Sequence, residues 1–235
     1  MFKDKTVLIT GGSSGIGAAT AIMFAKNGAN VAITYKDNKE GAERVAAEIE
    51  KLGQKALTIQ ADLINEVEAK NAVNETIRKF GRIDILVNNA GRYIDGDEWN
   101  GPSEVWVKSL QQNLVSVMNV SKYVIEVFQR QKSGVMINLS SRYSTDGQFE
   151  SLSYAAAKAA IVNITQAYTK LLAPFGRANA ISPSAVRAGY WLRAPKEELK
   201  AQGKLIKPEK VAEKILFLAS DEAEDINGQN ILITA

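Results

Sequence analysis

The 235-residue chain contains neither cysteine nor histidine. The first absence excludes a disulfide framework, a thiolate nucleophile and a zinc ribbon; the second excludes a Ser-His-Asp triad, an imidazole base and a His-ligated metal. Acid-base chemistry therefore falls to Asp, Glu, Lys, Tyr or Ser. Also missing are any block of like charges and any apolar run of about 20 residues. With 29 basic and 26 acidic residues the net charge is only +3. Those charges are spread along the chain, which argues against a nucleic-acid partner. The N-terminal Met1 to Lys5 leads into too few apolar residues for a signal-peptide core, so a cytoplasmic protein with no membrane partner is expected.

What is present is periodic. Thr6 to Thr10 is a β-branched apolar run ending at a glycine cluster, and Ile16 to Asn27 is Ala-rich with helical spacing. The alternation continues with strands at 31–35, 56–61, 83–87, 135–139, 177–181 and 230–234. Helices are expected at 39–52, 66–80, 102–131, 151–173 and 208–220. Strands that are apolar throughout, alternating with helices of this length, predict a parallel sheet covered on both faces. Right-handed crossovers make it doubly wound. The expectation is one α/β Rossmann domain over residues 1–235, with about seven strands and helices on both faces. Only residues 186–207 depart in composition: Arg187, Arg193, Lys196, Lys200, Lys204 and Lys207 face two acids, Glu197 and Glu198. This segment reads as a mobile insertion.

Thr10-Gly11-Gly12-Ser13-Ser14-Gly15-Ile16-Gly17 joins the first strand to the first helix. Glycines there let a pyrophosphate approach the backbone, and the helix N-terminus offers free N–H groups and partial positive charge. A P-loop needs Lys and a hydroxyl residue after its last glycine, and Ala18-Ala19 stands there instead. A dinucleotide is favoured over a nucleoside triphosphate. The second strand ends Thr34-Tyr35-Lys36, with no carboxylate until Asp37. An acid at that point would bind the 2′-OH of NAD; Lys36 with Ser13 and Ser14 suits the 2′-phosphate of NADP. NADP is therefore expected, with NAD the alternative.

Tyr154 and Lys158 are four apart in a helical segment and share a face. A neighbouring ammonium favours phenolate and is expected to lower the Tyr154 pKa. Ser140-Ser141 follows the fifth strand, Asn88-Asn89-Ala90-Gly91 follows the fourth, and Asn113 lies in the long helix beyond it. All fall at the carboxyl edge of the sheet, where open α/β folds bind ligands.

These motifs, in this order, resemble the short-chain dehydrogenase/reductase family over about residues 5–185, with a looser likeness at 208–233. The family's TGxxxGxG matches Thr10, Gly11, Gly15 and Gly17; its NNAG matches Asn88 to Gly91; its YxxxK matches Tyr154 and Lys158. Its serine falls on Ser141, its helix asparagine on Asn113, and its adenine-contacting acid on Asp62, followed by Leu63. The resemblance implies hydride transfer between a nicotinamide and a carbonyl or secondary alcohol. In it Tyr154 is the general acid/base, Ser141 binds the substrate oxygen and Lys158 binds the nicotinamide ribose and lowers the tyrosine pKa. Asn113 holds a water that connects Lys158 to solvent. The cofactor-binding set it implies is Gly11, Ser13, Ser14, Gly15, Ile16, Gly17, Tyr35, Lys36, Asp62, Leu63, Asn89, Ala90, Gly91, Tyr154, Lys158 and Pro183, with no metal. It also implies a 3-oxoacyl-thioester type of substrate and a homodimer or homotetramer built on the helices starting near Pro102 and Ser151.

The chain departs from the family pattern in three places. Ser184 replaces a glycine after Pro183, Ala188 replaces a threonine that contacts the nicotinamide carboxamide, and the last strand stops before its usual Asp-Gly-Gly. These leave a non-catalytic dinucleotide sensor as the alternative function. The 186–207 segment falls where the family has its substrate lid, and Arg187 and Arg193 would meet an anionic substrate there. Asp95, Asp97 and Glu98 are expected to be plain loop surface.

Overall fold

The computed structural model describes residues 1–235, apart from the side chain of Ala201. Seven parallel strands form one sheet: β1 (Thr6–Ile9), β2 (Asn30–Tyr35), β3 (Ala56–Gln60), β4 (Ile85–Asn88), β5 (Gly134–Leu139), β6 (Gly176–Pro183) and β7 (Asn230–Ile233). Their order, β3-β2-β1-β4-β5-β6-β7, reverses direction between β1 and β4. Crossovers on the two sides of that point go to opposite faces, leaving a crevice at the carboxyl ends of the strands. Strand β6 runs eight residues, longer than the five expected, because Gly176 pairs with Gly134 before it and Pro183 pairs with Ile233 after it.

Helices α1 (Gly15–Lys26), α2 (Lys39–Lys51) and α8 (Pro208–Ala219) cover one face; α3 (Glu66–Phe80), α5 (Ser116–Gln131) and α6 (Leu152–Leu172) cover the other. The strand pleat divides the core accordingly. Val7 and Ile9 of β1 pack with Phe24 and Ile49, whereas Leu8 between them packs with Val124 and Phe128. Local chemistry sets the helix ends. Asn65 accepts from Val67 N–H at 2.9 Å to start α3, and Gly81 at φ 79° ends it in the left-handed conformation.

The segment expected as one helix over 102–131 is continuous but not uniform. It comprises α4 (Ser103–Leu110), a π-helical turn over Gln111–Val115, and α5. The 186–207 segment holds a 3₁₀ turn (Gly189–Leu192) and the short α7 (Lys196–Gln202). At its base Arg187 N–H donates to Ile206 O and Ile206 N–H to Ala185 O. Among the described residues, no helix is long and apolar enough to cross a membrane.

Candidate active site

The glycine turn lies at the crevice between β1 and β4. Its conformation depends on missing side chains: Gly15 has φ 56°, and a Cβ on Gly17 would strike the Gly11 carbonyl and lie 2.6 Å from Asn89 Nδ2. Asn89 Nδ2 donates to the carbonyls of Thr10 and Gly11 at 2.9 and 3.0 Å. Thr10 Oγ1 in turn accepts from the N–H groups of Asn89 and Ala90, both at 2.9 Å. The two loops are thus stitched into one wall. Helix α1 begins beside that wall with no side-chain cap at Ser14 and no acid in its first turn. Its N-terminal N–H groups and positive end are suited to an anion.

From this wall a cleft of about 180 Å³ runs toward β2 and β3. Seven of the expected binding residues line it: Gly11, Tyr35, Lys36, Asp62, Leu63, Ala90 and Gly91. Ser13, Ser14, Gly15, Ile16, Gly17, Asn89 and Pro183 do not line this cleft; the first five form the turn at its end, and Pro183 is buried at the end of β6. Arg92, Gln112 and Ser116 also line it. Sequence reasoning missed them, although Gln112 and Ser116 flank Asn113 at helical spacing. Lys36 Nζ meets Asp62 Oδ2 at 2.6 Å. The cation read as a phosphate ligand is therefore already paired with the acid read as an adenine contact. A shallow entry between two walls, a cradle that excludes side chains and a free helix N-terminus fit an adenine dinucleotide with its pyrophosphate at Gly15 and Gly17.

Gly91 joins the cleft to a second group of residues. A Cβ placed on it would sit 2.6 Å from Asn113 Oδ1 and 3.5 Å from Lys158 Nζ. Asn113 is fully buried in the π-turn. Its Nδ2 donates to Arg92 O and Ser109 O at 2.9 and 3.0 Å, while its Oδ1 is buried with no partner.

Helix α6 carries Tyr154 and Lys158 and is tied to the end of β5 twice. Lys158 Nζ donates to Leu139 O at 2.9 Å, and Ser140 Oγ donates to Lys158 O at 2.7 Å. Ser141 caps the following 3₁₀ turn, its Oγ accepting from Tyr143 N–H at 3.2 Å. That leaves the Ser141 hydroxyl proton to be donated toward the Tyr154 phenol oxygen. Burial pushes the Tyr154 phenol up to about 12, against the Ser141 hydrogen bond, which pulls it down. Burial also lowers the Lys158 ammonium to about 8. The expected lowering of Tyr154 is thus reversed here, because desolvation of a phenolate outweighs the hydroxyl beside it. At neutral pH the site presents a protonated phenol, a hydroxyl donor and an ammonium.

Asp97 corrects another expectation. It is fully buried rather than surface, with its carboxylate at the start of α6. Ala188 Cβ lies 3.0 Å from the position a Gly15 Cβ would take, so the 186–207 segment packs over the glycine turn. Its Tyr190 meets Tyr93 edge to face at 5.5 Å.

A doubly wound sheet with an anion cradle at its switch point, opening onto Ser, Tyr and Lys donors, defines a dinucleotide-dependent oxidoreductase. Comparison with known proteins makes this specific. Residues 5–198 match the profile of the short chain dehydrogenase family. The 3-oxoacyl-[acyl-carrier-protein] reductase of Thermotoga maritima is 35% identical over 236 residues, covering 97% of this chain and 96% of its own. Among solved structures, the 3-ketoacyl-(acyl-carrier-protein) reductase of Brucella melitensis complexed with NADH superposes with a TM-score of 0.91. It is 32% identical and covers 100% of this chain and 98% of its own. Levodione reductase superposes equally well, at 0.91 with 28% identity, over 99% of this chain and 97% of its own. The protein belongs to the short-chain dehydrogenase/reductase family. It is an NAD(P)-dependent oxidoreductase acting on CH–OH or carbonyl groups, with a small-molecule substrate.

Proposed function

We propose that the protein reduces a ketone with NADPH, using Tyr154 as the proton donor. The observation that carries this reading is the placement of Tyr154 beside Ser141 at the end of β5, on the helix that also sets Lys158 next to Gly91 of the cleft. The nicotinamide, when bound, supplies the hydride. Ser141 turns its hydroxyl proton from Tyr154 to the substrate oxygen, and Tyr154 transfers its proton to the same oxygen as charge builds there. Lys158 holds the nicotinamide ribose. The unpartnered Oδ1 of Asn113 is the acceptor for a water through which Tyr154 is reprotonated.

NADPH is preferred over NADH in this reading because β2 ends at Tyr35-Lys36 without an acid, and Lys36 lines the cleft. A 2′-phosphate would share Lys36 with Asp62. The substrate is a carbonyl compound, including one carried on an acyl thioester, a reading supported by the names of the Thermotoga and Brucella relatives, both acyl-carrier-protein reductases. Arg187 and Lys207, near the two ends of the segment read as the substrate lid, line an open depression of about 590 Å³ with Pro208 and Glu209 of α8, and would meet the charges of such a carrier. The working form is a homo-oligomer, supported by apolar side chains left exposed on α4, α5 and α6.

The test is a spectrophotometric screen of NADPH oxidation against cyclohexanone, an aliphatic aldehyde, phenanthrenequinone and acetoacetyl-coenzyme A, with wild type and Tyr154→Phe. Turnover of at least one carbonyl is expected, and Tyr154→Phe should abolish it while still binding NADPH. Full turnover by Tyr154→Phe would remove Tyr154 from the chemistry.

A further inference from the structure

Asp97 lies in the loop between β4 and α4, and it receives the whole start of α6. Its Oδ1 accepts from Ser153 N–H at 3.0 Å and from the Ser153 hydroxyl. Its Oδ2 accepts from Tyr154 N–H at 2.8 Å and from the Ser109 hydroxyl at 3.3 Å. Its main-chain carbonyl accepts from Leu152 N–H at 2.8 Å. Three consecutive N–H groups of the first turn of α6 are thus held by one residue, 57 positions before Tyr154. Ser151, at the conventional cap position, makes no side-chain cap bond.

Helix capping alone does not call for this arrangement. An oxygen at the cap satisfies one or two of the first-turn N–H groups without burying a charge, whereas a fully buried carboxylate must be desolvated. No ion pair among the described residues includes Asp97, so its charge is balanced by hydrogen bonds and by the positive end of α6. Such bonds are short, directional and rigid. The second half of the contact explains what the rigidity serves. The residue whose hydroxyl reaches Asp97 is Ser109, and the Ser109 carbonyl accepts from Asn113 Nδ2 at 3.0 Å. Asp97 and Ser109 therefore form a two-residue bridge from the backbone of Tyr154 to the side chain of Asn113.

We propose that Asp97 is a positioning residue that sets α6 against the π-turn, fixing Tyr154 and Lys158 relative to Asn113. The proposal rests on the reading of Tyr154 as proton donor. Asp97 touches neither substrate nor cofactor; it acts through the main chain of Tyr154. A displacement of about 1 Å in a reacting group costs up to ~100-fold in rate, which is the scale of effect expected if the carboxylate is lost.

The experiment compares Asp97→Asn, Ser109→Ala, Tyr154→Phe and Ile49→Ala with wild type, using NADPH and the carbonyl most readily reduced in the screen above. Ile49, buried on α2 across the sheet, controls for loss of stability alone. Asp97→Asn should lower kcat ~10- to 100-fold while KM and the Kd for NADPH, read by its fluorescence, change less than about threefold. Ser109→Ala keeps the backbone bonds of Asp97 and should lower kcat by a smaller factor; it carries the test if Asp97→Asn does not fold. Ile49→Ala should lower Tm with kcat intact. Unchanged kcat in Ser109→Ala and in any folded Asp97→Asn overturns the proposal, as does a kcat loss in Ile49→Ala matching theirs at equal loss of Tm. Full activity of Tyr154→Phe defeats the underlying reading first, and the positioning role with it.

Discussion

Lys158 Nζ sits 5.5 Å from the centre of the Tyr154 ring, yet its hydrogen bond goes to the carbonyl of Leu139, 2.9 Å away. The ammonium is held beside the phenol by the end of β5 and not by the phenol itself. Burial then acts on both groups in opposite directions, raising Tyr154 to about 12 and lowering Lys158 to about 8. In a chain without histidine, burial thus brings the Lys158 ammonium toward the neutral range, and not the Tyr154 phenol that its lysine neighbour was expected to lower.

The pH dependence of reduction follows. Tyr154 keeps its proton well above neutrality, while Lys158 loses its charge and a donor as pH rises through about 8. The pH profile of kcat/KM reports the free enzyme, so it should fall above about 8 with a slope of about −1 on logarithmic axes. Lys158→Arg cannot lose its proton in this range and should show no such limb in whatever activity it retains. A limb of unchanged position in that variant would assign the ionisation elsewhere.

Stability should carry the same signature with its own sign. Lys158 has a folded pKa of about 8 against 10.5 unperturbed, so between those values the unfolded chain binds more protons than the folded one. Stability contributed by this group therefore rises with pH across that window, by about 3 kcal/mol at most. Tyr154 works the other way: its raised folded pKa costs stability as pH climbs from 10 to about 12. The checking measurement is urea unfolding of wild type and Lys158→Met between pH 7.5 and 10. The variant should lose the upward slope, and identical slopes would contradict the buried-ammonium account.

Cofactor choice turns on the Lys36–Asp62 pair. Both side chains are substantially exposed, so the 2.6 Å contact contributes little to stability. Its effect lies in what Lys36 offers a 2′-phosphate. Asp62→Asn frees the ammonium and should raise the ratio of kcat/KM for NADPH over NADH, because loss of an adenine contact affects both cofactors equally. Lys36→Asp places two carboxylates together and should lower that ratio by ~10-fold or more. A ratio unmoved by both substitutions would defeat the assignment of NADPH.

The sheet was legible because its signals are local: β-branched runs, apolar helix faces and a glycine turn at a strand end fix seven strands in their observed sequence order. That Ser141, Tyr154 and Lys158 come together at the end of β5 was legible through motif spacing. Asp97 was not, because an acid in a Gly-rich loop looks the same whether it faces water or caps a helix 55 residues away. Nor was the π-turn, since Gln111 to Val115 has ordinary helical composition and no residue in it marks a wider turn. The Tyr154 pKa escaped for a related reason. Spacing shows that a lysine is near, but burial, which decides the direction, is a property of the assembled fold.

Assembly gives the last prediction. Helices α4 and α5 pack beside α6, and together they expose Val107, Met118, Leu152 and Leu171, with Val107 and Leu171 at 53% and 51%. Exposed apolar side chains on three helices that pack side by side point to a covered face more than single scattered ones, which need no partner. A two-fold axis through that surface would set the same patch against itself, as closed homodimers do. Sedimentation equilibrium should therefore return a mass of at least twice the 25.5 kDa of one chain. Val107→Glu with Leu171→Glu places like charges across the axis and should shift the protein toward monomer, with secondary structure retained by circular dichroism. A wild type that sediments at 25.5 kDa at micromolar concentration would show that this face works uncovered.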